Sequence, residues 1–176
     1  MKLKKCRVCN SSKFINLFSL GKLSFTGKFA KSKKVNIPKD FLNLIICKKC
    51  KLVQLDRNFD PKYLYSKDYG YRTGINKTMT EHVKFIAESA IKIVKPKKDD
   101  MILDIASDDA TLLNFYSNKF ITVGIDPLVQ KYKIFYKKIN FKISNFFSYK
   151  ELKKRNVHKN YKIITALSMF YDLKNP

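Results

Sequence analysis

Four cysteines arranged as two pairs constrain this chain more than any other feature. Cys6 and Cys9 form the first Cys-x-x-Cys pair, and Cys47 and Cys50 form the second. Each pair can place two thiolates at adjacent corners of a tetrahedron around Zn²⁺, so two pairs complete a closed site with no open position for catalysis. A redox dithiol or buried free cysteines would account for one pair but not for two. The sequence therefore predicts a structural zinc site.

The residues around the cysteines predict a small ribbon-like domain over 1–60. Residues 41–46 read as a strand that leads into the second pair, and residues 52–55 read as its return strand. The long spacer between the pairs is predicted to be irregular, because Gly21, Gly27 and Pro38 interrupt it. Such a domain has too small a core to fold alone, so the metal is expected to supply folding energy.

The composition limits the compartment and the partners. The chain has 176 residues and a formal net charge of +23, which favours acidic partners such as nucleic acid, anionic membrane or phosphate-bearing substrates. An A·T-biased coding composition explains the same lysines, which are spread along the whole chain. No signal peptide and no apolar run of about 20 residues is visible, so we predict a cytoplasmic protein without a membrane span.

The stretch from Met101 to Pro127 predicts the start of a parallel sheet. A short apolar strand (101–105) is followed by a small-residue turn (106–110), a helix (111–117) and a second apolar strand (121–125). Ligands of a doubly wound sheet lie outside the carboxyl ends of its strands, and an acid about 20 residues further on binds a ribose. Asp104 and Asp126 end the two strands at that spacing. A βαβ unit of another α/β protein remains the alternative.

Motifs along the chain resemble one enzyme family. LDIASDDATLL and VGIDP are similar to segments of class I S-adenosylmethionine-dependent methyltransferases, and more narrowly to sugar C-methyltransferases with an N-terminal zinc-binding domain. CRVC, ICKKCKLVQL and the tyrosine-rich YSKDYGYRTG follow in that family's order. The sequence departs from the family where Lys51, Ala106 and Ala110 replace its usual glycines.

The resemblance implies a set of cofactor-binding and catalytic residues. Asp104 would lie near the methionine moiety of S-adenosylmethionine, and Asp126 would hold the ribose hydroxyls. The full predicted cofactor site comprises Asp104, Ala106, Ser107, Asp108, Asp126, Pro127, Asn145, Phe146 and Leu167. Tyr71, and after it Tyr69, are the candidates for a role in proton transfer or substrate binding, although these aromatics could equally join two domains.

The remaining elements complete half of a methyltransferase sheet. We predict a helix over 78–94, opened by a Thr78-x-x-Glu81 capping box, and strands at 141–143 and 161–167 separated by a short basic helix at 151–157. The predicted architecture is therefore α/β: a zinc ribbon-like domain (1–60), a linker and helix (61–98), and a partial Rossmann-like sheet (99–176). Because only four of the family's seven strands can be placed, the resemblance implies a truncated or split enzyme.

The expected function is transfer of a methyl group from S-adenosylmethionine to carbon of a nucleotide-linked keto-sugar or related small molecule. A second chain that completes the sheet is an expected partner, whereas nucleic acid and membrane are not. Two alternatives stay open: a zinc-ribbon nucleic-acid-binding protein, which the charge and aromatic content favour, and a non-catalytic partner subunit, which the two alanines favour.

Overall fold

The structure is a computed structural model that describes residues 2–27, 29, 30, 32 and 34–173. It is a mixed α/β protein that divides into two compact units. The first comprises the chain up to Gly70 together with the segment from Phe170, and the second comprises Tyr71–Met169. The predicted domain limits at residues 60 and 98 stay predictions.

The first unit contains a three-stranded antiparallel sheet in the order β1-β2-β3. Its strands are β1 (Phe14–Ser24), β2 (Lys39–Cys47) and β3 (Val53–Leu55), and a short helix α1 (Pro61–Leu64) follows. The prediction of an irregular spacer was wrong for β1. The pairing of β1 with β2 shifts register twice, once before Phe18 and once before Lys22. These irregularities interrupt the alternation of apolar and polar residues that predicts a strand.

The second unit contains helix α2 (Lys77–Val94), which lies close to the predicted limits. The predicted Thr78 capping box is wrong, because the Asn76 side chain accepts a hydrogen bond from the backbone N–H of Met79 and is the N-cap. Val83 and Ala87 are buried and form the helix's core contact. Lys95 ends the helix in a left-handed conformation just before Pro96.

Four parallel strands form the sheet of the second unit, in the order β6-β5-β4-β7. They are β4 (Met101–Ile105), β5 (Ile121–Ile125), β6 (Phe141–Ile143) and β7 (Tyr161–Thr165), so all four predicted strands are confirmed. The first strand of this unit thus lies between the second and the fourth. Leu103, Val123, Ile125, Ile143, Leu152 and Val157 form a buried cluster on this sheet.

The connections of the sheet are less helical than predicted. Residues 111–117 contain only a 3₁₀ turn, Leu113–Phe115, because Ala110 is left-handed immediately before them and Thr, Asn, Ser and aromatic residues favour helices weakly. Helix α3 (Tyr149–Lys154) starts before the predicted residue 151, since the Ser148 side chain caps the N–H of Glu151. None of the helices in the described ranges is long and apolar enough to cross a membrane.

Candidate zinc centre and candidate cofactor site

The four cysteines converge on one point of the first unit. All four Sγ atoms lie within 4.8 Å of one another, with 3.6 Å between Cys6 and Cys50 and 3.5 Å between Cys9 and Cys47. Sulfurs at tetrahedral corners, each 2.3 Å from a zinc ion, are about 3.8 Å apart, so the spacing fits the metal. Cys6 and Cys47 are buried, which suits a structural site.

Gln54 and Arg7 hold the first cysteine pair against the sheet. The Gln54 Nε2 donates to the Cys6 Sγ at 3.3 Å, and the Gln54 Oε1 accepts from the Arg7 Nη1 at 3.0 Å. The Arg7 guanidinium also donates to the carbonyl oxygens of Leu55 and Arg57. A buried amide that orients a ligand sulfur is the kind of outer-shell support that metal sites require. Sequence reasoning missed Gln54.

Backbone amides favour the thiolate form of Cys6. Burial raises the pKa of this thiol, but the N–H groups of Cys9 and Val8 and the Gln54 amide outweigh burial and lower the pKa to about 6. A thiolate is the form that binds Zn²⁺. The residue that follows each cysteine pair has a left-handed backbone conformation: Asn10 has φ 58° and Lys51 has φ 62°.

The predicted cofactor residues lie at one edge of the parallel sheet. Asp104 to Asp108 stand at the carboxyl end of β4, Asp126 and Pro127 follow β5, Asn145 and Phe146 follow β6, and Leu167 follows β7. Parallel strands end at the same edge, and a ligand binds where neighbouring connections leave in opposite directions. Since β4 has β5 on one side and β7 on the other, that point lies at the end of β4.

Asp126 joins the ends of the first two strands. Its Oδ2 accepts from the backbone N–H of Asp108 at 3.1 Å, and its Oδ1 accepts from that of Leu128 at 2.7 Å. Burial raises the pKa of Asp126 to about 6, although these two N–H donors oppose the rise. Each carboxylate oxygen has two lone pairs, so Asp126 can still accept hydrogen bonds from a ribose.

Asp104 is a buried acid beside two hydroxyl groups. Its Oδ1 accepts from the Thr165 Oγ1 at 2.6 Å, which joins β4 to β7. Burial raises the pKa of Asp104 to about 7, helped by the charges of Asp126 and Asp108. The Tyr116 hydroxyl is buried without a hydrogen-bond partner among the described residues, and burial and the Asp104 charge raise its pKa to about 12. Tyr116 was not predicted.

We expect Asp104→Asn to stabilise the second unit more at pH 8 than at pH 5. An acid with a raised folded-state pKa contributes its full stability below its unfolded value of 3.8 and loses it as pH rises toward 7. The gain at pH 8 should exceed the gain at pH 5 by on the order of 3 kcal/mol. Urea unfolding at both pH values measures it, with the exposed Glu88→Gln as control. Equal effects of Asp104→Asn at pH 5 and pH 8 would contradict the raised pKa.

Asp108 and Asp109 fasten the segment before α2 to the turn after β4. The Asp108 Oδ2 accepts from the Thr73 N–H at 2.6 Å and from its Oγ1 at 2.7 Å, and the Asp109 Oδ2 accepts from Arg72 and Gly74 at 3.0 Å each. The Asp108 Oδ1 is buried without a partner among the described residues. Asp109, only 1% exposed, was not predicted.

The glycine-replacing alanines occupy glycine-like conformations. Ala106 has φ 58° and Ala110 has φ 61°, in the left-handed region, and Asp108 between them has φ 47°. Ser107, which lies between Ala106 and Asp108, has its hydroxyl 2.8 Å from the Tyr136 hydroxyl. The Tyr136 hydroxyl also donates to the Asp108 carbonyl oxygen. The turn thus has the shape of a glycine-rich loop, at a cost of roughly 1–2 kcal/mol for each non-glycine residue.

Ala106→Gly is expected to stabilise the protein, whereas Ala110→Gly is not. Glycine relieves the left-handed strain at both positions and loses roughly 0.5–1 kcal/mol to greater unfolded-state freedom. Ala110 is fully buried, and removing its methyl costs about 0.8 kcal/mol more. We expect a gain of roughly 0.5–1 kcal/mol for Ala106→Gly and about zero for Ala110→Gly in urea unfolding. Ala90→Gly, within α2, should destabilise. A destabilised Ala106→Gly protein would contradict the assigned strain.

The tyrosines predicted for catalysis belong to different units. Tyr69, in the first unit, packs its ring against Gly27 and makes an edge-on contact with Tyr65 at 5.3 Å. Tyr71 begins the second unit, is 40% exposed, and its carbonyl accepts from the Tyr132 hydroxyl at 2.8 Å. Their roles stay predictions, as do those of the residues after β6 and β7.

One comparison with known proteins agrees with this geometry. The family model Methyltransf_13, described as “Putative zinc binding domain”, matches residues 6–65. The matched region contains all four clustered cysteines. The chain carries a methyltransferase-associated zinc-binding domain. No curated protein was found to match the chain.

Proposed function

We propose that this protein is an S-adenosylmethionine-dependent methyltransferase of the class I, Rossmann-like type, acting on carbon of a nucleotide-linked keto-sugar or related small molecule. The proposal is supported by two features that occur together in this chain. A methyltransferase-associated zinc-binding domain precedes a parallel sheet whose first strand lies between its second and fourth. Acids stand at the carboxyl ends of the first two strands, where a nucleotide's ribose would bind.

The residues at the end of β4 and β5 suit the cofactor. S-adenosylmethionine supplies an electrophilic methyl group when bound. Asp126 would accept hydrogen bonds from its ribose hydroxyls, and the buried Asp108 Oδ1 is an acceptor with no partner among the described residues. The left-handed turn at Ala106 brings backbone to the position that such a ligand approaches. Asp104 would orient the methionine end.

The acceptor carbon must lose a proton to a base as it gains the methyl group. Tyr71 is the candidate for contacting the acceptor, because its side chain is 40% exposed on the segment that Asp108 and Asp109 fasten to the cofactor turn. The net charge of +23 suits a nucleoside diphosphate substrate. Thiolate ligation of zinc suits a reducing compartment, so we place the protein in the cytoplasm. A second chain could add strands beside β7.

A non-catalytic partner subunit is the second candidate, and one observation favours it. Thr73 makes two hydrogen bonds to the Asp108 Oδ2, and backbone N–H groups reach both oxygens of Asp126. The protein's own groups thus already bind two of the proposed cofactor residues. In this role the chain would retain the fold without catalytic activity and would bind another protein as its partner subunit.

A transfer assay tests the catalytic proposal. Zinc-loaded protein is incubated with methyl-labelled S-adenosylmethionine and a nucleoside diphosphate-linked keto-sugar, and the product is analysed by mass spectrometry and NMR. We expect the label on a ring carbon, and we expect Tyr71→Phe to lose this transfer because the variant lacks the hydroxyl proposed to move the proton. Cofactor binding without transfer would favour the partner-subunit role. Label on oxygen would contradict carbon transfer.

A further inference from the structure

Strand register divides the sheet of the first unit into two unlike faces. Directly paired residues of antiparallel strands share a face. Cys47, Ile45 and Gln54 therefore lie on one face, where the zinc centre is, and all three are buried. The opposite face, here called the open face, is formed by Ile15, Phe18 and Leu23 of β1, Leu44 and Ile46 of β2, and Val53 and Leu55 of β3.

The open face is apolar and uncovered. Ile15, Phe18, Leu23 and Val53 are 44–56% exposed, and Leu44 and Ile46 are partly exposed. Together these side chains form an apolar patch of roughly 500 Å², within the range of about 300–600 Å² that is usual for the largest apolar patch on a monomer. The largest apolar patch of a monomer is often functional, so the open face is a candidate interaction surface.

The charges of the three strands avoid the open face. Lys22 pairs with Phe41 and Lys39 pairs with Ser24, so both lysines lie on the zinc face. The one acid on the open face, Asp40, pairs with Leu23 near one end of the sheet and is neutralised by Arg57 at 2.6 Å. Among the residues of β1–β3, the open face therefore carries no unpaired charge.

We propose that the open face binds a second copy of this chain, face to face. Two identical apolar sheet faces pack against each other about 10 Å apart and generate a closed twofold dimer. The surface of roughly 500 Å² per copy supplies the apolar centre of an interface that needs about 800 Å² per partner, with polar residues around it supplying the rest. Two chains of like charge can meet here because no lysine of β1–β3 lies on this face.

Salt distinguishes this dimer from a complex with a polyanion. Screening weakens the repulsion between two chains of charge +23, so the dimer should bind more tightly as salt rises from about 0.05 to 0.5 M. Binding of nucleic acid would weaken over the same range. Sedimentation equilibrium of zinc-loaded protein at both salt concentrations measures the dissociation constant.

Matched substitutions locate the interface. Ile15→Thr with Phe18→Thr keeps strand-forming residues but removes apolar surface from both copies, so the dissociation constant should rise at least about tenfold. Phe18→Leu should retain most of the affinity. Ile93→Gln, on the exposed end of α2, should leave it unchanged. Zinc content and circular dichroism establish that each variant is folded. A monomer at about 100 µM, or a dimer that the Thr variant leaves intact or the Ile93 variant disrupts, would overturn the proposal.

Discussion

Removing the metal should unfold the first unit. Its three-stranded sheet leaves one face exposed, and among the described residues of the unit the buried apolar side chains are Cys6, Ile45 and Cys47, so packing alone cannot offset chain entropy. Structural zinc contributes about 10–16 kcal/mol to the folding of small zinc domains. With a chelator present, circular dichroism should show loss of the β1–β3 strand signal, and limited proteolysis should cleave within residues 14–55.

The second unit supplies the internal control for this experiment. Its sheet packs around an apolar cluster that contains no cysteine, so the region from α2 to β7 should stay protected from protease. Adding Zn²⁺ back should restore the first unit, whereas Mg²⁺, which prefers oxygen ligands, should not. Cys47→Ser should behave as the chelated protein does. A chelated protein shown to be free of zinc and still protected throughout residues 14–55 would contradict a structural metal.

Asp109→Ala should destabilise the second unit by about 3–5 kcal/mol. The carboxylate is almost fully buried and receives hydrogen bonds from the Arg72 guanidinium and from the backbone of Gly74 and Thr111. Removing it leaves these donors without a partner and Arg72 without its counter-ion, and an unpaired buried group costs more than the hydrogen bond itself contributed. Urea unfolding followed by circular dichroism measures the loss.

Two further variants test whether the effect of Asp109→Ala comes from the loss of an acid as such or from the buried hydrogen bonds of this carboxylate. Glu88→Ala removes an acid that is exposed and paired with Lys84 at 3.8 Å, so its effect should stay below about 0.5 kcal/mol. Asp109→Asn keeps one acceptor oxygen and should fall between the two alanine variants. If Asp109→Ala costs no more than Glu88→Ala, the carboxylate does not fasten the segment before α2.

The sequence predicted those features that repeat or that follow an unbroken pattern. Two Cys-x-x-Cys pairs specify one closed site, and the described geometry brings all four sulfurs together. The four strands of the second unit are short apolar runs, so their positions were predicted almost to the residue. Their common direction places the predicted cofactor residues at one edge, although the roles of those residues stay predictions.

Features that depend on distant partners were not predicted. β1 contains two register shifts, which hide its alternation and which only pairing with β2 defines. Asp108 and Asp109 are adjacent residues of the same type, so the sequence does not distinguish their roles. Only the folded structure shows that Asp109 accepts hydrogen bonds from Arg72 and Gly74. The resemblance pointed to glycine positions at Ala106 and Ala110, and the left-handed backbone there gives the physical reason. The loss of helix over 111–117 follows from the same turn.

Calorimetric titration of S-adenosylmethionine into zinc-loaded protein tests the central proposal most directly. Asp126→Ala provides the matched variant, because it removes the proposed ribose acceptor at the end of β5. Its folding must be checked by circular dichroism, since Asp126 also binds two backbone N–H groups. We expect saturable binding to the unmodified protein and a loss of affinity of at least about tenfold in folded Asp126→Ala. Absence of heat with folded, zinc-loaded protein at several temperatures, or equal affinity of the two proteins, would contradict a cofactor site at this edge of the sheet.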